Sequence, residues 1–351
     1  MKFIHIADVH LGASPDAGST YSEKRAKEIW NSLKRVVEAC NKERADLLLI
    51  AGDLFHRQPL LRELKEVNSL LATLKHTQVV LVAGNHDYLK KDSYYRTFRW
   101  ARNVQMILSE DISCVEFPQL SLAVYGCSYH SREIKEAKYD NAFARKKQRY
   151  EILIAHGGDE KHIPIQRNKI KALGYDYVAL GHIHKPQMFQ EEGAAYAGAL
   201  EPIDKNDVGP HGYVRGEMDD KGCRVWFVPD AEREYVHMDV EIDKAMTGHS
   251  VRERIKAQIE ERGVQNLYKI TLKGLRDPDI LFDLGDMDPY GNVVEVSDET
   301  KPAYEFGRLL EQNKDNLLGK FIESLLNYEK DSMEYQALCE GVQALMETRR
   351  G

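Results

Sequence analysis

The sequence has no run of about 18 apolar residues, the length a membrane-crossing helix needs. Its N-terminus places His5, Asp8 and His10 where a secretory leader requires an unbroken apolar core. A cytoplasmic protein without membrane contact is expected. Cysteine is scarce and scattered: the five residues Cys40, Cys114, Cys127, Cys223 and Cys339 are odd in number and contain no C-x-x-C pair. Such spacing argues against a disulfide framework or a thiolate zinc site, and reads as reduced packing residues. A surplus of positive charge is missing as well, the formal net charge being −7, so the chain as a whole does not announce a nucleic-acid binder. There is no G-x-x-x-x-G-K-[ST] loop for a nucleotide of its own. Internal repeats and low-complexity segments are absent, and the 11 prolines are dispersed. With 42% hydrophobic residues, the composition is that of a folded globular chain.

What is present is a rhythm. "FIHIA" (3–7) ends at Asp8, "LLLIA" (47–51) at Gly52-Asp53, and "VVLVA" (79–83) at Gly84-Asn85. Short continuous β-branched runs of this kind read as strands buried on both faces. Between them, Ala26, Trp30, Leu33, Val37 and Cys40, then Leu64, Val67, Leu71 and Leu74, recur at helical spacing. Strand, helix, strand, helix, strand implies an α/β fold with a parallel sheet and right-handed crossovers. Two later runs follow the same scheme, "YEILIA" (150–155) ending at His156 and "YDYVALG" (175–181) at His182. Beyond 184 the pattern turns to short alternating segments, with a hairpin signal at Asp219-Asp220-Lys221-Gly222. The expected organisation is a first domain at 1–240, a small α/β module at 241–300 with Val251, Ile255 and Ile259 on its helix, and a helical segment at 301–351. The amphipathic helices expected at 302–327 and 331–348 either pack on their own domain or dock a second protein.

In parallel sheets ligands gather where strands release their C-terminal ends. Asp8 and His10, Asp53, Asn85, His156, His182 and His184 should therefore share one rim. They are too many for one tetrahedral ion and suit two ions sharing a carboxylate, for which Asp53, preceded by a glycine that permits close approach, is the natural bridge. Residues i and i+2 of an extended segment point the same way, so Asp8/His10 and His182/His184 should each offer two groups to one side. Nitrogen and oxygen donors without thiolates favour manganese, iron or zinc.

D-x-H at 8–10, G-D at 52–53, G-N-H-D at 84–87, H-G-G at 156–158 and G-H-I-H at 181–184 together resemble the calcineurin-like metallophosphoesterase superfamily. "IADVHLG", "GDLFHRQP", "ALGHIHKPQ" and "YAGALEPID" resemble, within it, the SbcD/YhaO-like DNA repair nucleases. The resemblance covers residues 1 to about 200 and is weaker beyond 240. It implies a four-layer β-sandwich flanked by helices, with a small capping domain. It implies that Asp8, His10, Asp53 and His184 hold one ion and Asp53, Asn85, His156 and His182 the other, usually manganese. His86 is implied to be a non-ligand serving the leaving group, with Asp87 orienting it. A homodimer and an SbcC-like coiled-coil ATPase partner are implied too.

The expected function is metal-dependent exonuclease and endonuclease cleavage of DNA in double-strand break repair. A dimetal phosphodiesterase or phosphatase for nucleotides or phosphoproteins is the alternative enzyme, and a non-catalytic DNA-binding scaffold the alternative outside enzymes. Tentative DNA contacts are Arg96, Arg99 and Arg102 in "YYRTFRWAR" and Arg145, Lys146, Lys147 and Arg149 in "ARKKQRY", where cations lie beside aromatic rings. Each run reads equally well as a solvated face. His56 sits near the rim or on a surface turn, His130, His162 and His211 read as loop residues, and His5 as a core histidine.

Overall fold

A computed structural model describes residues 1–329 and 332–348, and the chain divides into two compact units, Met1–Tyr235 and Val236–Gly351. The first unit opens with β1 (Lys2–Ile6), α1 (Ser22–Glu43), β2 (Leu47–Ala51), α2 (Leu61–Leu71), β3 (Gln78–Val82) and β4 (Val104–Met106). These four strands lie in chain order and pair in parallel, α1 and α2 supplying the crossovers that parallel neighbours require. Next come β5 (Ser113–Phe117), β6 (Leu122–Gly126), β7 (Tyr150–His156), the short α3 (Arg167–Ile170), β8 (Tyr177–Gly181), β9 (Gln187–Phe189) and β10 (Ala194–Tyr196). They form a second six-stranded sheet in the order β5-β6-β7-β8-β10-β9. The hairpin of β11 (Gly212–Asp219) and β12 (Gly222–Pro229) returns to the first sheet, pairing antiparallel with β1 and turning where Asp219 faces Gly222.

Strand periodicity sorts the apolar residues into layers. Leu47, Leu49, Val80 and Val82 of the first sheet meet Val124, Ile152, Ile154 and Ala179 of the second in one inner core. Their neighbours Leu48, Ile50, Val79 and Leu81 face α1 and α2, while Tyr125, Leu153 and Leu180 face outward on the second sheet. That outer face is covered by Ile134, Tyr139, Ile163 and Leu173 around Ile170 of α3, so the fourth layer is mostly irregular chain. The architecture is the expected α/β sandwich, but the five strand ends expected to carry ligands belong to two facing sheets and not to one.

One helix differs in its buried stripe. Ala26 and Trp30 of α1 are only half-buried, whereas Arg25, Glu28 and Ser32 are buried beside Ile29, Leu33, Val36, Val37 and Cys40. The reason is an ion cluster. Arg25 donates to Glu28 (2.6 Å) and to the carbonyl of Pro202 (2.5 Å), Arg233 reaches Glu28 (2.7 Å), and Arg35 bonds Asp230 (3.0 Å) and Glu232 (2.8 Å). Ser32 bonds Glu201.

In the second unit, β13 (Tyr235–Ile242), β14 (Leu267–Arg276) and β15 (Val293–Asp298) form a sheet with β16 (Lys301–Pro302) on β14. The expected stripe Val251, Ile255 and Ile259 of α4 (Gly248–Arg262) is buried with Val240, Ile242, Ile270 and Leu272. The helix expected at 302–327 is broken into α5 (Phe306–Gln312) and α6 (Leu317–Leu325), because Asn316 caps α6 by accepting from Gly319 N (3.2 Å). The last expected helix is α7 (Met333–Glu347), and Asp331 at its proposed start lies outside the described residues. Leu318 and Ile322 pack with Leu338 and Val342, while Leu317 and Met333 stay exposed. Among the described residues no helix is long and apolar enough to cross a membrane.

His5 is the core histidine expected: fully buried, with Nδ1 2.9 Å from the Tyr177 hydroxyl. Burial pushes its pKa down to about 3, so the folded chain holds it neutral while the unfolded chain protonates it below about 6.5. Its contribution to stability is complete above 6.5 and is lost as pH falls toward 3. His5→Phe is expected to flatten the acid limb of the stability profile by on the order of 1.4 kcal/mol per pH unit between those limits, read from urea unfolding at successive pH values.

Candidate metal centre

The strand ends turn sharply before they deliver their side chains. Asp8 (φ 49), His10 (φ 50), Asp53 (φ 49) and His182 (φ 97) all adopt left-handed backbone. This corrects the expectation that Asp8/His10 and His182/His184 converge as extended i, i+2 pairs. Such conformations cost about 1–3 kcal/mol each and persist only where surroundings enforce them. Here the Asp8 and His10 amides donate to the carbonyls of Gly52 (3.2 Å) and Asp53 (3.0 Å), locking the first two turns together.

The side chains meet in two groups around Asp53. In one, His10 Nε2 and His184 Nε2 are 3.2 Å apart, and Asp8 joins them with its ligand atoms all within 4.8 Å. In the other, Asn85 Oδ1 lies 2.9 Å from His156 Nε2 and 3.1 Å from His182 Nδ1. Asp53 Oδ2 sits between, 3.9 Å from His10 Nε2 and 3.5 Å from His156 Nε2. Asp8, His10, Asp53, Asn85 and His156 are buried; His182 and His184 are half-buried. All seven residues singled out as ligands are thus brought together. Two buried carboxylates, an amide oxygen and four imidazoles with few backbone donors among them form a donor set suited to divalent cations.

The protonation pattern shows what the cluster lacks in charge. Burial raises Asp8 to about 6, against the lowering influence of His156 and His184. Burial also opposes ionisation of Asp53, but His156 and His10 outweigh it and hold that carboxyl well below its usual range. In return Asp53, overriding burial, raises His156 to about 9, and Asp207, overriding burial, raises His184 to about 9. Burial leaves His10 well below its ordinary value, and burial with the His156 charge takes His182 down to about 4. Protons here supply positive charge that cations can supply instead.

His86 stands at the rim, its ring edge-on to His10 at 4.9 Å and stacked on His56 at 5.0 Å. Its amide donates to Asp53 Oδ1 (2.8 Å), and its Nδ1 donates to the His56 carbonyl (3.0 Å). The role expected of Asp87 is corrected. Its buried carboxylate accepts from Gly84 N (2.8 Å), Phe55 N (3.2 Å) and the Tyr95 hydroxyl (2.8 Å), and the His86 ring is fixed by a backbone carbonyl instead. Asp87 therefore ties the Asn85-His86 turn to the Asp53 loop.

The basic segment at 144–150 lies away from this rim. Tyr150 opens β7 and His156 closes it, a separation of about 20 Å at strand rise. Around it, Lys147 pairs with Glu116 (3.1 Å), Arg149 with Asp220, and Lys146 with the Gly174 carbonyl (2.7 Å), while Arg145 is exposed. Arg96 binds the carbonyls of Leu89 (2.6 Å) and Lys90 (2.9 Å). Arg99 and Arg102 are exposed on the segment leading into β4, where Phe98 and Trp100 pack against the first core. His130 bonds the Leu108 carbonyl (2.8 Å) and His211 that of Gly209 (2.9 Å).

Sequence reasoning missed two carboxylates behind the histidines, Asp159 and Asp207, 2.7 Å from His182 Nε2 and 3.0 Å from His184 Nδ1. It also placed His162 apart from the site, whereas its ring lies 4.5 Å from that of His182. Ordinary loop carboxylates carry no periodic signal, although Asp159 directly follows H-G-G in the sequence.

Gly52 has φ +88, and a Cβ there would lie 2.3 Å from His156 Nδ1. The glycine before Asp53 thus makes room for an imidazole ring and not for a metal. Gly52→Ala is expected to displace His156, lowering the thermal midpoint and the divalent metal retained after dialysis, both measurable on one preparation. Metal retention equal to the parent would show that the ring does not need this space.

The sequence profile of the calcineurin-like phosphoesterase family matches residues 1–186. An uncharacterised metallophosphoesterase, YhaO of Bacillus subtilis, is 29% identical over 234 residues, 61% of this chain and 56% of that protein. The DNA double-strand break repair protein Mre11 of Methanocaldococcus jannaschii is 28% identical over 220 residues, 59% of this chain and 58% of its own. That of Archaeoglobus fulgidus is 26% identical over 306 residues, 78% of this chain and 65% of its own. The chain spans somewhat more than half the length of these curated relatives. With more than half of its residues matched by the profile, and the matched motifs meeting in one cluster, the chain belongs to the calcineurin-like phosphoesterase family.

Proposed function

We propose that this chain is a two-metal phosphodiesterase that cuts DNA during double-strand break repair. The carrying observation is the convergence of seven donor residues around Asp53 within one phosphoesterase-family domain. We assign Asp8, His10, Asp53 and His184 to one ion and Asp53, Asn85, His156 and His182 to the other. The position of Asp53 Oδ2 between His10 and His156 supports its role as bridge. Manganese is our assignment, and iron or zinc suits the same donors. Two such ions would supply Lewis acidity to a water and to a bound phosphate ester.

The chain's own part is positioning and proton handling. With Nδ1 committed to the His56 carbonyl, His86 has Nε2 left to serve the leaving oxygen. The stack on His56 and the amide bond to Asp53 hold the ring at the edge of the donor cluster. DNA as substrate rests on the relatives that are named for double-strand break repair. We further assign residues 241–300 to gripping DNA, the helices of 301–351 to an SbcC-like coiled-coil ATPase partner, and the phosphoesterase domain to a homodimer in the cytoplasm. We also assign the exposed cations Arg96, Arg99, Arg102, Arg145, Lys146, Lys147 and Arg149 to contact with DNA.

End-labelled duplex, hairpin and single-stranded DNA, offered with manganese beside bis-nitrophenyl phosphate and a phosphomonoester, tests the reading. DNA is expected to be cleaved in preference to the monoester; turnover of the monoester alone would establish a phosphatase instead, and inertness toward all substrates a scaffold. His86→Ala is expected to slow cleavage about 100- to 10,000-fold with unchanged metal content. Loss of metal in that variant would make His86 a ligand.

A further inference from the structure

Each imidazole of the centre offers one ring nitrogen inward, and which one it offers is decided on its outer side. A neutral imidazole carries its proton on one nitrogen and its lone pair on the other. His156 illustrates the rule: Nδ1 lies 2.9 Å from the Ala51 carbonyl, which only accepts, so Nε2 is turned toward Asn85. The two histidines of G-H-I-H, only two residues apart, present opposite atoms. His182 turns Nδ1 inward, 3.1 Å from Asn85 Oδ1, with Nε2 2.7 Å from Asp159 Oδ2. His184 turns Nε2 inward, 3.2 Å from His10 Nε2, with Nδ1 3.0 Å from Asp207 Oδ2.

We infer that Asp159 and Asp207 are the positioning residues of this centre, each holding one histidine in the tautomer that faces a different ion. The inference rests on the two-metal reading above. An ionised carboxylate is an acceptor only, so Asp159 keeps the His182 proton on Nε2 and Asp207 keeps the His184 proton on Nδ1. Both are themselves fixed by backbone. Asp159 accepts from the amides of Lys161 (2.7 Å) and His162 (3.0 Å), and Asp207 from those of Ile203 (3.0 Å) and Asp204 (3.1 Å). The loops at 159–162 and 203–207 thus act as two independent clamps, one per ion. His162, whose Nδ1 is 2.9 Å from Asp159, steadies the first clamp from the solvent side.

Metal-free wild type, Asp159→Ala, Asp159→Asn, Asp207→Ala and Asp207→Asn are titrated with manganese, counting bound ions and following the electron paramagnetic resonance of single against paired ions. Metal-free thermal midpoints are recorded alongside. Wild type is expected to bind two ions. Asp159→Ala should weaken one of them 10- to 100-fold and leave the other, giving a single-ion spectrum, and Asp207→Ala should do the same for the opposite ion. The asparagine variants, which keep an acceptor oxygen for ring and turn alike, should recover most of the loss. The inference is overturned if both alanine variants bind two ions with wild-type affinity, or if both ions are lost together with a fall in the metal-free midpoint, the mark of a merely structural role. A third ion in wild type that Asp159→Ala removes would also overturn it, making Asp159, His162 and His182 a ligand set. Wild type binding fewer than two ions would instead remove the two-metal reading itself.

Discussion

Two carboxylates taken out of water at the ends of neighbouring strands are the constraint around which the first unit is built. Asp8 and Asp53 are 0% and 1% exposed. An uncompensated buried charge costs several kcal/mol, and two of like sign cost more. The surroundings answer that cost: His10 and His156 beside Asp53, the His182 amide on Asp8 (2.9 Å), the His86 amide on Asp53 (2.8 Å). The result is an opposition, Asp8 pushed up by burial and Asp53 held down by the imidazoles beside it. A folded chain retains such an arrangement at a functional site because a ligand completes it.

The sandwich makes this concentration possible. Parallel strands on one sheet would bring Asp8, Asp53 and Asn85 to one rim, but only a second sheet facing the first adds His156 and His182 across a shared apolar core. The register does the alignment: Ala51 stands beside Val82 at the end of β2 and β3, and His156 beside Gly181 at the end of β7 and β8. The left-handed turns after β1 and β2 then rotate the side chains off the strand directions into the gap between the sheets.

How far the sequence disclosed this follows from which signals are periodic. Strands, crossover helices and the convergence of polar residues at strand ends were legible, because burial imposes period 2 or 3.6 and the motifs fall at fixed offsets from it. The backbone turns at Asp8 and Asp53 were not, since aspartate in left-handed conformation leaves no mark in composition. The buried stripe of α1 was misjudged for a related reason. Arg25 and Glu28 read as surface residues until partners at Pro202 and Arg233, distant in sequence, are in place. The aromatic-basic segments divide in a way that composition does not show: Tyr95 donates to Asp87, Phe98 and Trp100 pack against the core, and Lys147 and Arg149 pair with acids while staying exposed.

The ion cluster on α1 also reaches the metal centre through the chain. Arg25 grips the Pro202 carbonyl and lies 3.6 Å from Glu201, whose other oxygen accepts from the Glu232 amide (2.8 Å). These contacts pin the start of the loop whose next residues, Ile203 and Asp204, donate their amides to Asp207. Just upstream, Ala199 bridges Ala7, the residue before Asp8. The approach to the loop that carries Asp207 to His184 is therefore fastened to both β1 and α1, each fixed by the first core. A buried polar network is costly where an apolar core would serve. Here it specifies one position for a segment that must meet a histidine to within a few tenths of an ångström, and apolar packing, which tolerates sliding, would specify that position less well.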